Sequence, residues 1–159
     1  MAGSIKLQDF LKLQPEEHVF EEKGKVGILK IWRFPANSIL VTEIIGLATQ
    51  EIANRVVLES QNMIDECKGF IGIHHWVNVN RIPSESVKII NNWCLSLSKQ
   101  RNRLNGLLVS YNSNIPFFCF TIESLAQITG FKNPQVVKTE VEFLKLIRSY
   151  FDREGGKKR

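Results

Sequence analysis

The side chains best suited to chemistry in this 159-residue sequence lie in one tripeptide, His74-His75-Trp76. The tripeptide ends an apolar run, and ligand sites in open α/β sheets lie beyond the carboxyl ends of the strands. This position predicts that His75 or Trp76 lies at a ligand crevice. The alternative is that one histidine packs under a helix and hydrogen-bonds a carbonyl. Adjacent strand residues point to opposite faces, so we expect no shared metal ion, and nothing in the sequence indicates a cofactor.

The three cysteines, Cys67, Cys94 and Cys119, are odd in number and form no CxxC pair. Their apolar surroundings indicate buried free thiols of a reducing cytosol, so we expect a cytoplasmic protein. A thiol nucleophile at Cys67 would need an oxyanion hole and an orienting acid, and the sequence indicates neither. Walker, GxGxxG, HExxH and GxSxG motifs are absent. We therefore expect a protein that is not an enzyme.

The net charge of +5 owes three positive charges to the final residues, Lys157, Lys158 and Arg159. An internal basic group at 99–103 falls in the predicted last turn of a helix, where the helix dipole favours cations. We therefore expect no nucleic-acid partner. No apolar run approaches the roughly 18 residues that span a bilayer, so no integral membrane segment is expected. The first twenty residues lack the pattern of a secretory signal.

The elements that must position these residues follow from hydrophobic periodicity and turn residues. The predicted elements, in chain order, are two strands within 18–34, a strand at 39–45, a helix at 48–66, a strand at 70–77, a polar loop at 78–83, a helix at 85–103 that Asn105-Gly106 ends, a strand at 107–111, a helix at 116–129, a strand at 135–138 and a terminal helix opened by a capping box at 139–142. This order predicts an α/β fold. We expect a mixed, mainly parallel sheet with an antiparallel start and helices packed on it.

The chain is predicted to be a single domain with two short appendages. Residues 1–17 form an amino-terminal arm or short helix, 18–153 form the α/β domain, and 154–159 form a flexible basic tail released by Gly155-Gly156. The 70–77 run is apolar on both faces, which is typical of a central strand covered by helices.

About two-thirds of the chain resembles the STAS-like superfamily, the fold of the anti-sigma-factor antagonists, in a divergent bacterial branch related to the Sec14-type fold. The matching features are ILVTEIIG leading into a long helix, FIGIHHWVN, a helix that bears Trp93, GLLVSY and a further helix. The resemblance implies a non-enzymatic protein–protein interaction module of bacterial signalling. The alternative that it implies is a small apolar-ligand or lipid-binding module.

The resemblance also implies a regulatory phosphoacceptor, which here corresponds to Ser84 or Ser86. The aspartate that normally precedes the acceptor is missing, and Pro83 stands before Ser84. The alternative role for Ser84 is that of a helix N-cap. The residues expected to form a ligand or partner surface are His75, Trp76, Asn78, Asn80, Arg81, Phe117 and Phe118. The partner is expected to be a protein of unknown identity, and an apolar ligand or a second copy of the chain is left open.

Overall fold

The structure of the protein is a computed structural model that describes residues 7–110, 129–132 and 134–157, with side chains as far as residue 152. The predicted helix at 116–129 falls almost entirely outside the described residues. Phe117, Phe118 and Cys119 also lie outside them.

The described chain begins with a short helix and an antiparallel meander. Helix α1 spans Leu7–Leu11, and strands β1 (Glu16–Glu22) and β2 (Lys25–Phe34) form a hairpin. Its turn residues Lys23 and Gly24 have φ angles of 52° and 78°, the left-handed conformations that a two-residue hairpin turn requires. A single 3₁₀ turn, Pro35–Asn37, leads into β3 (Ile39–Leu47), which pairs antiparallel with β2. The predicted antiparallel start is confirmed.

The rest of the described chain alternates between helices and parallel strands. The elements are α2 (Gln50–Glu66), β4 (Phe70–His75), β5 (Val79–Arg81), α3 (Ser84–Ser96), a 3₁₀ segment (Leu97–Arg103), β6 (Leu104–Ser110), β7 (Pro134–Val137) and α4 (Glu140–Lys157). The strand order is β1-β2-β3-β4-β6-β7, and β5 pairs with the far end of β3. This mixed sheet of seven described strands is the α/β architecture that the sequence predicts.

Strand β4 lies at the centre of the sheet, as its two-sided apolar pattern predicts. All six of its residues are buried, and it pairs with β3 on one side and β6 on the other. One face packs against α2 and α3 and the other against α1 and α4, so each face has its own hydrophobic core. None of the described helices is long and apolar enough to cross a membrane.

Two predicted boundaries are wrong. The 78–83 segment is not all loop, because β3 extends past the end of β4 and β5 pairs with the part that β4 leaves free. Asn105-Gly106 does not end a helix but lies inside β6. A side chain at Gly106 would bring its Cβ within 2.7 Å of the Tyr150 ring, so this glycine allows α4 to approach the sheet closely.

The terminal helix begins with the predicted cap, since the Glu142 amide donates to Thr139 Oγ1 at 3.3 Å. In its first turns Phe143 is fully buried, whereas Val141 is 81% exposed. Helix α4 continues to Lys157, beyond the glycines at which the sequence predicts its end. The flexibility of the 154–159 tail stays a prediction.

Candidate functional site

The middle of β3 and the carboxyl ends of β4 and β6 bring three polar side chains into one row. Glu43, His75 and Ser110 are direct neighbours in the strand register and lie on the face that α4 covers. This trio is called the buried network here. Each of its members is less than 9% exposed.

His75 is the centre of the buried network. Its Nδ1 lies 2.7 Å from Ser110 Oγ, and its Nε2 lies 3.8 Å from Glu43 Oε2. The Phe143 ring of α4 stacks on the imidazole with a centroid separation of 4.8 Å. Histidine and serine therefore link two neighbouring strands by a side-chain hydrogen bond beneath a helix.

Burial sets the charge states in the buried network. It raises the pKa of Glu43, and the nearby Glu140 carboxylate acts in the same direction, whereas Lys30, whose Nζ is 4.0 Å away, and the Asn78 side chain oppose the rise. Burial also lowers the pKa of His75 to about 4. At neutral pH the imidazole is therefore uncharged, with one donor and one acceptor nitrogen.

Serine, histidine and glutamate are also the residue types of a nucleophilic triad. In that arrangement the serine bonds Nε2 and the acid bonds Nδ1, and the serine oxygen faces the substrate. In this protein Ser110 lies on Nδ1, the carboxylate is beyond hydrogen-bond reach of Nε2, and Ser110 is 2% exposed. This geometry favours a structural role for the buried network.

The opposite face of the same strands holds a second buried pair. His74 Nδ1 lies 2.7 Å from Thr42 Oγ1, and burial lowers the pKa of His74 to about 4. His74 and Trp76 help to line an apolar cavity of about 40 Å³ between the sheet and the helices α2 and α3. This volume is far below the roughly 300 Å³ or more that ligand pockets occupy. Burial raises the pKa of Cys94, another lining residue, to about 12, so its thiol stays protonated and unreactive.

The chain reaches the surface immediately after these buried residues. Asn78, Asn80, Arg81 and Ser84 are exposed, and residues 78–85 are called the exposed segment here. The segment borders a groove of about 440 Å³ that also opens onto the β1–β2 turn. The groove is lined by Glu22, Lys23, Lys25, Leu47, Gln50, Arg81, Pro83 and Glu85.

The structure divides the predicted surface residues into two sets. Asn78, Asn80 and Arg81 are exposed, and their part in a ligand or partner surface stays a prediction. His75 and Trp76 are 5% and 4% exposed, so neither lies at an open crevice. The expectation for these two is wrong because helices cover both faces of the central strand. His75 instead packs under a helix, with a hydroxyl rather than a carbonyl as its partner.

The two candidate serines also differ. Ser84 is the first residue of α3, Pro83 occupies the cap position, and the Ser84 hydroxyl donates to Glu85 Oε2 at 3.1 Å. The N-cap interpretation of Ser84 is therefore wrong. Ser86 is fully buried, and its hydroxyl donates to the Ala48 carbonyl at 2.7 Å, which joins α3 to the loop before α2.

Sequence reasoning missed Thr42, Glu43 and Ser110. The available signal was their polarity: Thr42 and Glu43 interrupt an apolar strand, and Ser110 ends another. A buried polar residue needs a partner, so such interruptions point to a paired cluster. In comparisons with protein-family models and with curated proteins, nothing matches the chain.

Proposed function

We propose that this protein is a non-catalytic interaction module that binds a partner protein through the exposed segment. The proposal rests on one contrast in exposure at the carboxyl ends of the strands. His75 and Ser110, whose residue types suggest nucleophilic chemistry, are buried, whereas Asn80 and Arg81, a few residues after His75, are open to a partner.

The backbone of the exposed segment is held firmly in place. The Gly46 amide donates to the Asn78 carbonyl and the Ala48 amide to the Arg81 carbonyl, each at 3.0 Å. Strand β5 is thus tied at both ends to the continuation of β3. A preorganised surface loses little conformational entropy on binding, which favours recognition of a partner.

The charges around the groove set the chemistry expected of the partner. Lys23, Lys25 and Arg81 supply cations, and Glu22 and Glu85 supply carboxylates. A partner that presents side chains of both signs in a complementary order fits this mixture, and such patterns give specificity and faster association.

The resemblance to STAS-like proteins supports a role in bacterial cytoplasmic signalling, as an anti-sigma-factor-antagonist-like component. It also supports Ser84 as a regulatory phosphoacceptor. Of the two candidate phosphoacceptors only Ser84 is exposed, and the start of a helix favours an added negative charge. The apolar-ligand alternative gains no support from the 40 Å³ cavity, which is far too small for a lipid.

Site-specific photo-crosslinking in host lysate tests the proposal. A photoreactive residue is placed at Asn80, and a matched control is placed at Lys68, an exposed residue just before the amino end of β4. We expect one defined crosslinked protein from position 80, none from position 68, and loss of the crosslink at 80 when Arg81→Glu is added. Equal crosslinking at both positions, or a crosslink insensitive to Arg81→Glu, would contradict the proposal.

A fluorophosphonate probe tests the non-catalytic half of the proposal. Such probes label serines that are activated by a histidine and open to solvent. We expect no labelling of the parent protein, because Ser110 is buried. Labelling that disappears in Ser110→Ala would instead identify the buried network as a hydrolase site.

A further inference from the structure

A second groove lies at the other end of the molecule. It is formed where α1, the end of β2 and α4 meet, has a volume of about 410 Å³ and is called the α1 groove here. The lining residues are Phe10, Leu11, Lys12, Phe34, Asn37, Arg148 and Phe151. Phe34 pairs with Ile39, the first residue of β3, so the α1 groove lies at the amino end of the parallel strands. The exposed segment lies at their carboxyl end.

The floor of the α1 groove is apolar and aromatic. The rings of Phe34 and Phe151 meet edge to face with their centroids 4.8 Å apart. Phe10 and Leu11 of α1 are only partly buried beside them. An apolar chain laid on this floor would remove hydrocarbon surface from water on both sides of the contact, which favours binding.

The charges that the described residues bring to the α1 groove have a single sign. Lys12 and Arg148 are exposed and come from different walls, and none of the described lining residues is acidic. The Arg148 guanidinium lies 5.5 Å from the centre of the Phe10 ring, and neither cation makes an ion pair in the part of the chain that the structure describes. Cation–π stacking leaves the guanidinium edge available for a carboxylate.

We propose that the α1 groove binds a medium-chain fatty carboxylate, with its hydrocarbon chain on the aromatic floor and its carboxylate between Lys12 and Arg148. The volume falls within the roughly 300–1,000 Å³ of small-molecule sites. A peptide is a poorer fit, because it carries polar backbone groups at every residue, and among the lining residues that the structure describes Asn37 is the single neutral polar side chain. The polar atoms of a fatty carboxylate lie at one end, as the cations require.

Calorimetric titration of the full-length protein with decanoate and with decanamide, its neutral analogue, tests this proposal. We expect decanoate to bind about tenfold more tightly than decanamide. The double variant Lys12→Gln/Arg148→Gln should weaken decanoate binding by about tenfold and leave decanamide binding unchanged. The control Lys88→Gln removes an exposed cation from α3 and should change neither affinity.

Equal affinities for decanoate and decanamide, no decanoate binding at millimolar concentration, or an equal loss in Lys88→Gln would each overturn the proposal. Circular dichroism verifies that every variant is folded. The site is separate from the exposed segment, so capture of a partner at Asn80 and binding of decanoate can succeed or fail independently.

Discussion

The buried network and the exposed segment lie a few residues apart at the same end of the sheet, yet they differ in almost every physical respect. His75 and Ser110 are buried on the face of the sheet that α4 covers and hydrogen-bond each other, whereas Asn80 and Arg81 face solvent beside a charged groove. The buried polar residues, which resemble a catalytic set, are part of the core. The exposed and firmly held polar residues are the ones that we propose as a binding surface.

The largest expected effect concerns the buried histidines and pH. Burial lowers the pKa of His74 and His75 to about 4 from an ordinary value of 6.5, so the unfolded chain takes up protons first as the pH falls. Above about pH 6.5 neither histidine lowers the free energy of unfolding. As the pH falls from 6.5 to about 4, each histidine lowers the free energy of unfolding by roughly 2–4 kcal/mol. Urea unfolding at pH 7 and pH 4.5 measures this loss.

The replacements His74→Gln and His75→Gln, made one at a time, provide the control for this prediction. Each should flatten the pH dependence of the free energy of unfolding between pH 6.5 and 4. Glu16 affects stability in a lower pH range, because hydrogen bonds from Arg33 and His18 hold its pKa at about 2. Its contribution to the free energy of unfolding is therefore lost as the pH falls below about 4.5. A parent protein equally stable at pH 7 and 4.5 would show that water reaches the histidines.

The two serines at the start of α3, Ser84 and Ser86, test the same contrast between buried and exposed polar residues. Ser86→Ala removes a buried hydrogen bond to the Ala48 carbonyl and should lower the free energy of unfolding by about 1–3 kcal/mol. Ser84→Ala removes an exposed contact with Glu85 and should change it by less than about 0.5 kcal/mol. Chemical unfolding of both variants checks the pair, and a larger loss at Ser84 would restore the N-cap interpretation.

Glu43→Gln should raise the free energy of unfolding, by a smaller amount than the losses predicted above. Burial raises the pKa of Glu43, so the folded protein holds the proton more strongly than the unfolded chain does, and stability falls as the pH rises above about 4.5. The neutral amide avoids this cost and should stabilise the protein at pH 7 by about 1 kcal/mol. Destabilisation of similar size would mean that Lys30 and Asn78 contribute more than burial costs.

The sequence predicts the sheet better than the site, for a physical reason. Hydrophobic periodicity records which faces are buried, so the antiparallel start, the central position of β4 and the buried Ile90 and Leu97 of the α3 region follow from it. The pairing of β5 with β3 depends on how far β3 extends beyond β4. Hydrophobic periodicity does not show how far β3 extends beyond β4, so the sequence of 78–83 resembles a loop.

The histidines illustrate the same limit at the site. Their position at the end of a strand follows from the sequence, but the burial of His75 depends on Phe143 of α4, which lies nearly seventy residues further along the chain. Ser86 likewise finds its partner at Ala48, in the loop before α2. Such long-range contacts decide whether a polar side chain is a surface group or part of the core.

The most direct test of the account measures the affinity of the crosslinked partner for the parent protein, Arg81→Glu and Ser110→Ala. A charge reversal at Lys68 serves as the matched control. We expect Arg81→Glu to weaken binding at least tenfold while the free energy of unfolding changes by less than about 0.5 kcal/mol, since Arg81 is exposed. Ser110→Ala should keep the parent affinity. Loss of binding in folded Ser110→Ala, with parent-like binding by Arg81→Glu, would contradict the account.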